Sequence, residues 1–291
     1  MLEMRKDFGL KRVAGAVCAG WMLSLAAGPT WAGVTPRATD PYVGAIVIDA
    51  DSGEVLYEDH ADAMGYPASV LKLMDLLLVL DAVEQGVLRL DDIVHVDAEA
   101  AGMGGSQVYL AEGEAFSVDE LLYALMIQSA NDVATALAKR VAGSKDGFVK
   151  LMNRRAATLG MKHTRFHSVH GLPPGAGQVP DITTARDLAT LCREMVKRPE
   201  VFRYTTVKER GFRNGEFIMR THNPLLGQFE GCDGLKTGFY RAAGFSIAAT
   251  AKRGNRRLIA VVLGSKEKKV RNAKVREILS MGFLAAGGNR E

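Results

Sequence analysis

Ser69 and Lys72 stand three residues apart in "YPASVLKLMD" (66–75), at the mouth of a run that stays apolar almost to Val83. Positions i and i+3 of a helix share a face, so the amine can point at the hydroxyl. A serine hydroxyl is a weak nucleophile until a base takes its proton. A lysine can be that base only where burial or a neighbouring cation lowers its proton affinity, and the apolar helix supplies the dry setting. Two more groups suit the same chemistry. Ser129 and Asn131, in "SAN", can relay a proton to a leaving amine and hold a substrate amide or Lys72 itself. Lys236 and Thr237, in "KTG", offer a charge and a hydroxyl to a carboxylate, and Lys236 is a second cation pressing on Lys72. Gly238 lets a strand approach a substrate closely. The backbone N–H groups of Ser69, at a helix start, and Phe239, on an edge strand, are candidates for an oxyanion hole.

Elements must position these groups. "GAIVIDADSGEVLYEDH" (44–60) reads as a β-hairpin, and Ser69 to Val83 as a buried helix ending near Gly86. A short extended segment follows at 91–100. Residues 117–141 read as helix, opened by a Ser117–Glu120 capping box and broken near "QSAND", whose Ser129, Asn131 and Asp132 favour turns and caps. Helices are expected at 145–160, 183–198 and 275–284, with a loop at 171–180. "FSIAATAKR" (245–253) and "RRLIAVVLGS" (256–265) read as strands joined by a tight turn. Strands at both ends with helices between them imply an α+β fold: a mainly antiparallel sheet built from both termini, flanked by helices, with an all-helical subdomain inserted at roughly 85–200.

The first 32 residues differ from the rest. A basic start (Arg5, Lys6, Lys11, Arg12), an apolar run from Val13 to Ala27 and "GPTWA" read as an export signal cleaved after Ala32. The remainder, 33–291, is expected to be one domain without a further C-terminal domain or anchor, located in the periplasm or on the outer face of the cell membrane. Of 291 residues, 47% are hydrophobic and 24% charged, enough for a full core. The net charge of +4 falls to +2 without the leader's four basic and two acidic residues, too little to argue for nucleic acid. "KEKK" (266–269) reads as a solvated loop. Cys192 and Cys232 do not make a disulfide scaffold. His163, His167 and His170 lie in a Gly- and Pro-rich stretch that reads as strand and loop, so no metal and no cofactor is expected.

The three motifs in this order are the signature of penicillin-binding proteins and related β-lactamases. The chain resembles the low-molecular-mass penicillin-binding proteins, the serine D-alanyl-D-alanine carboxypeptidases, from about Tyr42 to Phe283. The likeness includes "PASVLKLM", "GSQVYLAEGEAFSVDELLYALMIQSANDVA", "HGLP", "TTARDLA" and "DGLKTGFYRAAGFSIAATAKR". It implies acyl transfer: the serine attacks the peptide bond before the terminal D-alanine of a peptidoglycan stem peptide, and water later releases the acyl group. β-Lactams mimic that terminus and trap the serine. Carried over, Ser69 is the nucleophile, Lys72 its proton acceptor, Ser129 and Asn131 complete the site, and Lys236 and Thr237 bind substrate. Arg271, in "RNAKVREILSMGF", matches a family arginine associated with the substrate carboxylate. Two positions depart from the pattern: Leu71 and Asp75 stand where the family usually and often, respectively, has threonine.

Three other functions share the motifs. A class A β-lactamase deacylates through a glutamate-positioned water, but Leu121 to Arg193 contains no glutamate. A D,D-endopeptidase would use the same site on cross-linked peptides. A cell-wall-binding protein without turnover would keep the fold, and only Leu71 invites that reading.

Overall fold

The computed structural model describes residues 38–287. The expected export signal at 1–32 lies outside the described residues. Five strands form one sheet in the order β2-β1-β9-β8-β7, with every neighbouring pair antiparallel. They are β1 (Gly44–Asp49), β2 (Val55–Asp59), β7 (Cys232–Tyr240), β8 (Gly244–Arg253) and β9 (Arg256–Ser265). The N-terminal β1 pairs with the C-terminal β9, Val47 opposite Ala260. The sheet is thus assembled from distant parts of the chain, as the pattern of strands implied.

Side-chain alternation explains why β9 is apolar almost throughout. Leu258, Ala260 and Val262 pack with Ala45, Val47, Ile247 and Ala249 against Val275, Ile278 and Leu279 of α8 (Lys268–Gly287). Ile259, Val261 and Leu263 face the other way and join the larger core. A strand covered on both faces has no polar face to show. That larger core holds α1 (Lys72–Glu84), which is preceded by a 3-10 turn over Ala68–Leu71. Leu71, Leu73, Leu76, Leu77 and Val79 are fully buried; each such side chain contributes about 1.5–3 kcal/mol by leaving water. Leu71 is therefore a core residue, which accounts for an apolar side chain in place of threonine.

Two small two-stranded sheets and six further helices complete the described elements: β3 (Ile93–His95) with β4 (Ala115–Ser117), β5 (Glu209–Phe212) with β6 (Phe217–Arg220), α2 (Ala98–Ala101), α3 (Val118–Ile127), α4 (Asn131–Ala142), α5 (Lys145–Thr158), α6 (Ala185–Met195) and α7 (Pro199–Thr205). Ser117 caps α3 by accepting a hydrogen bond from Glu120 N at 3.2 Å. The expected break near "QSAND" is the gap between α3 and α4. The β5–β6 hairpin had no clear pattern in the sequence. The C-terminal helix starts at Lys268 rather than near 275, so the expected loop at "KEKK" is half helix. Lysine is a good helix former, and Arg271 N already reaches Glu267 O at 3.1 Å. Cys192 and Cys232 are both free, and no described helix is long and apolar enough to cross a membrane.

Candidate active site

The site lies where the 3-10 turn, the α3–α4 junction and the edge strand β7 meet. Ser69, Ser129, Thr237, Gly238, Phe239 and Arg271 line one cavity of about 430 Å³. Lys72, Asn131 and Lys236 stand behind that surface, all three buried. These nine candidate residues are therefore all at this cleft or directly beneath it.

Lys72 is fully buried, and its Nζ sits among three oxygens. It lies 3.0 Å from Ser69 Oγ, 2.7 Å from Asn131 Oδ1 and 2.6 Å from the His170 carbonyl. Asn131 is fixed in turn: its Nδ2 donates to Gly104 O at 2.8 Å and its N donates to Ser106 O at 2.8 Å. Burial pushes the Lys72 amine down to about 8, against the opposing pull of Asp75, Asp132 and Asp181. A group near that value has a usable free-base fraction at neutral pH, which an ordinary lysine does not. The repulsion between the two lysines adds to burial in holding Lys236 well below the usual ammonium range.

Lys236 Nζ donates to Ser129 Oγ at 3.0 Å and to the Thr237 carbonyl at 3.0 Å. Ser129 occupies the left-handed region, φ 64°, at the sharp corner between α3 and α4. A non-glycine residue is costly there, and the corner turns its hydroxyl toward Lys236. Gly238, which also lines the cavity, has a second reason to lack a side chain. A Cβ at this position would lie 2.7 Å from Pro67 O and 3.0 Å from Ser69 N. The missing side chain lets β7 close on the turn that carries Ser69, and Phe239 lines the same cavity as Ser69.

Arg271 is almost fully buried in the first turns of α8. Its Nη1 donates to Ser246 O at 3.0 Å, and its Nε and Nη2 donate to Asn272 Oδ1. Among the described residues it forms no ion pair. Burial alone lowers it to about 10, so it remains a cation facing the cavity with no carboxylate of its own.

Further residues complete the site. His170 contributes through its backbone carbonyl, which accepts from Lys72 Nζ. No group of metal-ligating side chains occurs among the described residues. Gly171 adopts φ 73°, and a Cβ there would lie 2.2 Å from Ala68 O, so "HGLP" carries the loop against the shoulder of Ser69. Ser106, Thr221, His222, Asn223 and Lys268 also line the cavity. Among the resembling segments, "HGLP" holds His170 and Gly171 and the start of "GSQVYL" holds Ser106; Thr221, His222, Asn223 and Lys268 fall in none of them.

A family model described as D-alanyl-D-alanine carboxypeptidase, peptidase S11, matches residues 40–267. The chain is 34% identical over 281 residues to D-alanyl-D-alanine carboxypeptidase DacF of Bacillus subtilis, covering 94% of this chain and 71% of that one. It is 38% identical over 247 residues to DacC of Escherichia coli, covering 82% of this chain and 60% of that one. Among solved structures, it matches penicillin-binding protein D2 from Listeria monocytogenes in its ampicillin-bound form. That match has a TM-score of 0.76 and 33% identity, and covers 86% of this chain and 100% of the other.

Proposed function

The chain belongs to the D-alanyl-D-alanine carboxypeptidases of peptidase family S11, and we propose that it removes the terminal D-alanine of peptidoglycan stem peptides through an acyl-enzyme on Ser69. One observation carries this reading: a fully buried lysine Nζ lies 3.0 Å from the Ser69 hydroxyl. Ser69 Oγ attacks the carbonyl before the last residue, and its proton passes to Lys72. The backbone N–H groups of Ser69 and Phe239 receive the developing oxyanion. Collapse breaks the C–N bond; Ser129, bonded to Lys236, hands a proton to the departing D-alanine amine and is made good by the proton Lys72 took from Ser69, so Lys72 is a free base again and Ser129 a hydroxyl. Water then attacks the ester, Lys72 takes its proton, and Ser69 is regenerated. Lys236, Thr237 and Arg271 hold the substrate's terminal carboxylate by charge and hydrogen bonding. Asn131 orients Lys72.

β-Lactams, which resemble the same terminus, acylate Ser69. The leader expected at 1–32 agrees with a substrate outside the cytoplasm. The test is intact mass after benzylpenicillin, wild type against Ser69→Ala. The wild type gains one penicilloyl mass and the variant gains none; a variant that labels equally overturns the assignment. Release of free D-alanine from a pentapeptide, with cross-linked dimers left intact, excludes the endopeptidase alternative.

A further inference from the structure

Three carboxyl groups surround Lys72 in the interior, and they are not equivalent. Asp132, on α4, accepts from Val108 N at 3.2 Å, Leu110 N at 3.0 Å and Val133 N at 2.9 Å. Asp181, in the loop before α6, accepts from His167 N at 2.6 Å, Ser168 N at 2.9 Å and Ser168 Oγ at 2.7 Å. Asp75 is as buried as either, one turn along α1 from Lys72, and neither of its oxygens has a hydrogen-bond partner among the described residues. Burial without donors favours the neutral form of this carboxyl, so whatever charge it carries depends on Lys72. Backbone amides can hold the charges of Asp132 and Asp181. Only the electrostatic field of Lys72 can hold that of Asp75. The three oxygens around Nζ are all uncharged groups, so the coupling to Asp75 acts through space, in a medium where such coupling is strong.

We propose that Asp75 is a positioning residue for the Lys72 proton: its carboxylate shares the buried charge of the ammonium and sets the acid edge of acylation. This inference rests on the proposed roles of Ser69 and Lys72. The other ionisable groups around the pair are Asp132 on α4, Asp181 and the His170 ring on the loop before α6, Lys236 on β7 and His222 beyond β6. Asp132 and Asp181 pull in the same direction as Asp75, while Lys72 itself depresses Lys236, His170 and His222. Burial raises Asp75 well above the usual carboxylate range, and the Lys72 charge offsets part of that rise. The sign follows from this pairing. A negative charge at Asp75 keeps the proton on Lys72, where it cannot act as a base. Removing that charge frees the amine at lower pH.

The experiment is the second-order rate constant for acylation by a fluorescent penicillin, measured from pH 5 to 10 on the full chain. Wild type is compared with Asp75→Asn, which is nearly isosteric and cannot ionise, and Asp75→Thr, which removes the acid in a different shape. Both variants should move the acid edge down by about one pH unit, so that acylation on the edge rises roughly tenfold, while the alkaline plateau stays within about twofold. An edge that does not move in either variant, with or without a uniform fall in rate, overturns the proposal, because a purely structural role scales all pH values alike. The wild-type profile separates the two readings. If wild type acylates at Ser69 with an acid edge, the proposed function survives whatever the variants do; if it does not acylate, both fall.

Discussion

The floor and the wall of the cleft handle positive charge in opposite ways. On the floor, Lys72 is ringed by Ser69 Oγ, Asn131 Oδ1 and the His170 carbonyl, with three carboxyl groups behind it. On the wall, Arg271 faces the cavity with no ion pair among the described residues, and Lys236 bonds only Ser129 Oγ and a backbone carbonyl. On the floor, burial and the opposing carboxyl groups together leave the Lys72 amine at about 8, where it can lose and regain a proton near neutral pH. An uncompensated cation is unfavourable until an anion arrives. In the function we propose, that difference gives proton transfer to the floor and carboxylate recognition to the wall of one cavity.

Substitutions can break that division. The largest effect is expected at the floor. Lys72→Gln keeps a donor for Asn131 and His170 but no base, and acylation by any β-lactam or peptide should fall about 10²–10⁴-fold at every pH. Stopped-flow acylation checks this, and a loss confined to low pH would move the base elsewhere. At the wall, Arg271→Gln should lower kcat/KM by about 10–100-fold on a peptide ending in a free carboxylate. The same peptide capped as a C-terminal amide should change little. Equal losses on both substrates would make Arg271 a structural residue of α8. The smallest effect sharpens the comparison without a mutation. Because burial lowers Lys72 to about 8, wild-type acylation should climb as pH rises through that value and level off above it. A flat profile from pH 6 to 9 would contradict a lysine base.

Much of this was readable from local pattern. The hairpin at 44–60, the paired strands at 245–265 and the Ser117 cap are short-range consequences of alternation, turn residues and side-chain capping, and the structure has all of them. The motif residues were legible because serine, lysine and asparagine at these spacings are unusual company for apolar helices. The carbonyl of His170 was not legible, since a backbone oxygen leaves no trace in residue type. Nor was the second reason for Gly238, whose small size also answers a close approach by Pro67 and Ser69, residues about 170 positions away along the chain.

What the order of residues determined by itself is the chemistry on hand: a hydroxyl, an amine one turn later, two further polar pairs and the apolar surface to bury them. What only the tertiary structure decided is which charges are shared. Asp75, Asp132 and Asp181 are all aspartates near motif residues in the chain or in space, and composition cannot tell them apart. Folding gives two of them backbone amides and gives the third only the field of Lys72. Proton affinity depends on desolvation and on distances between groups far apart in sequence, and those exist only once the chain has closed around them.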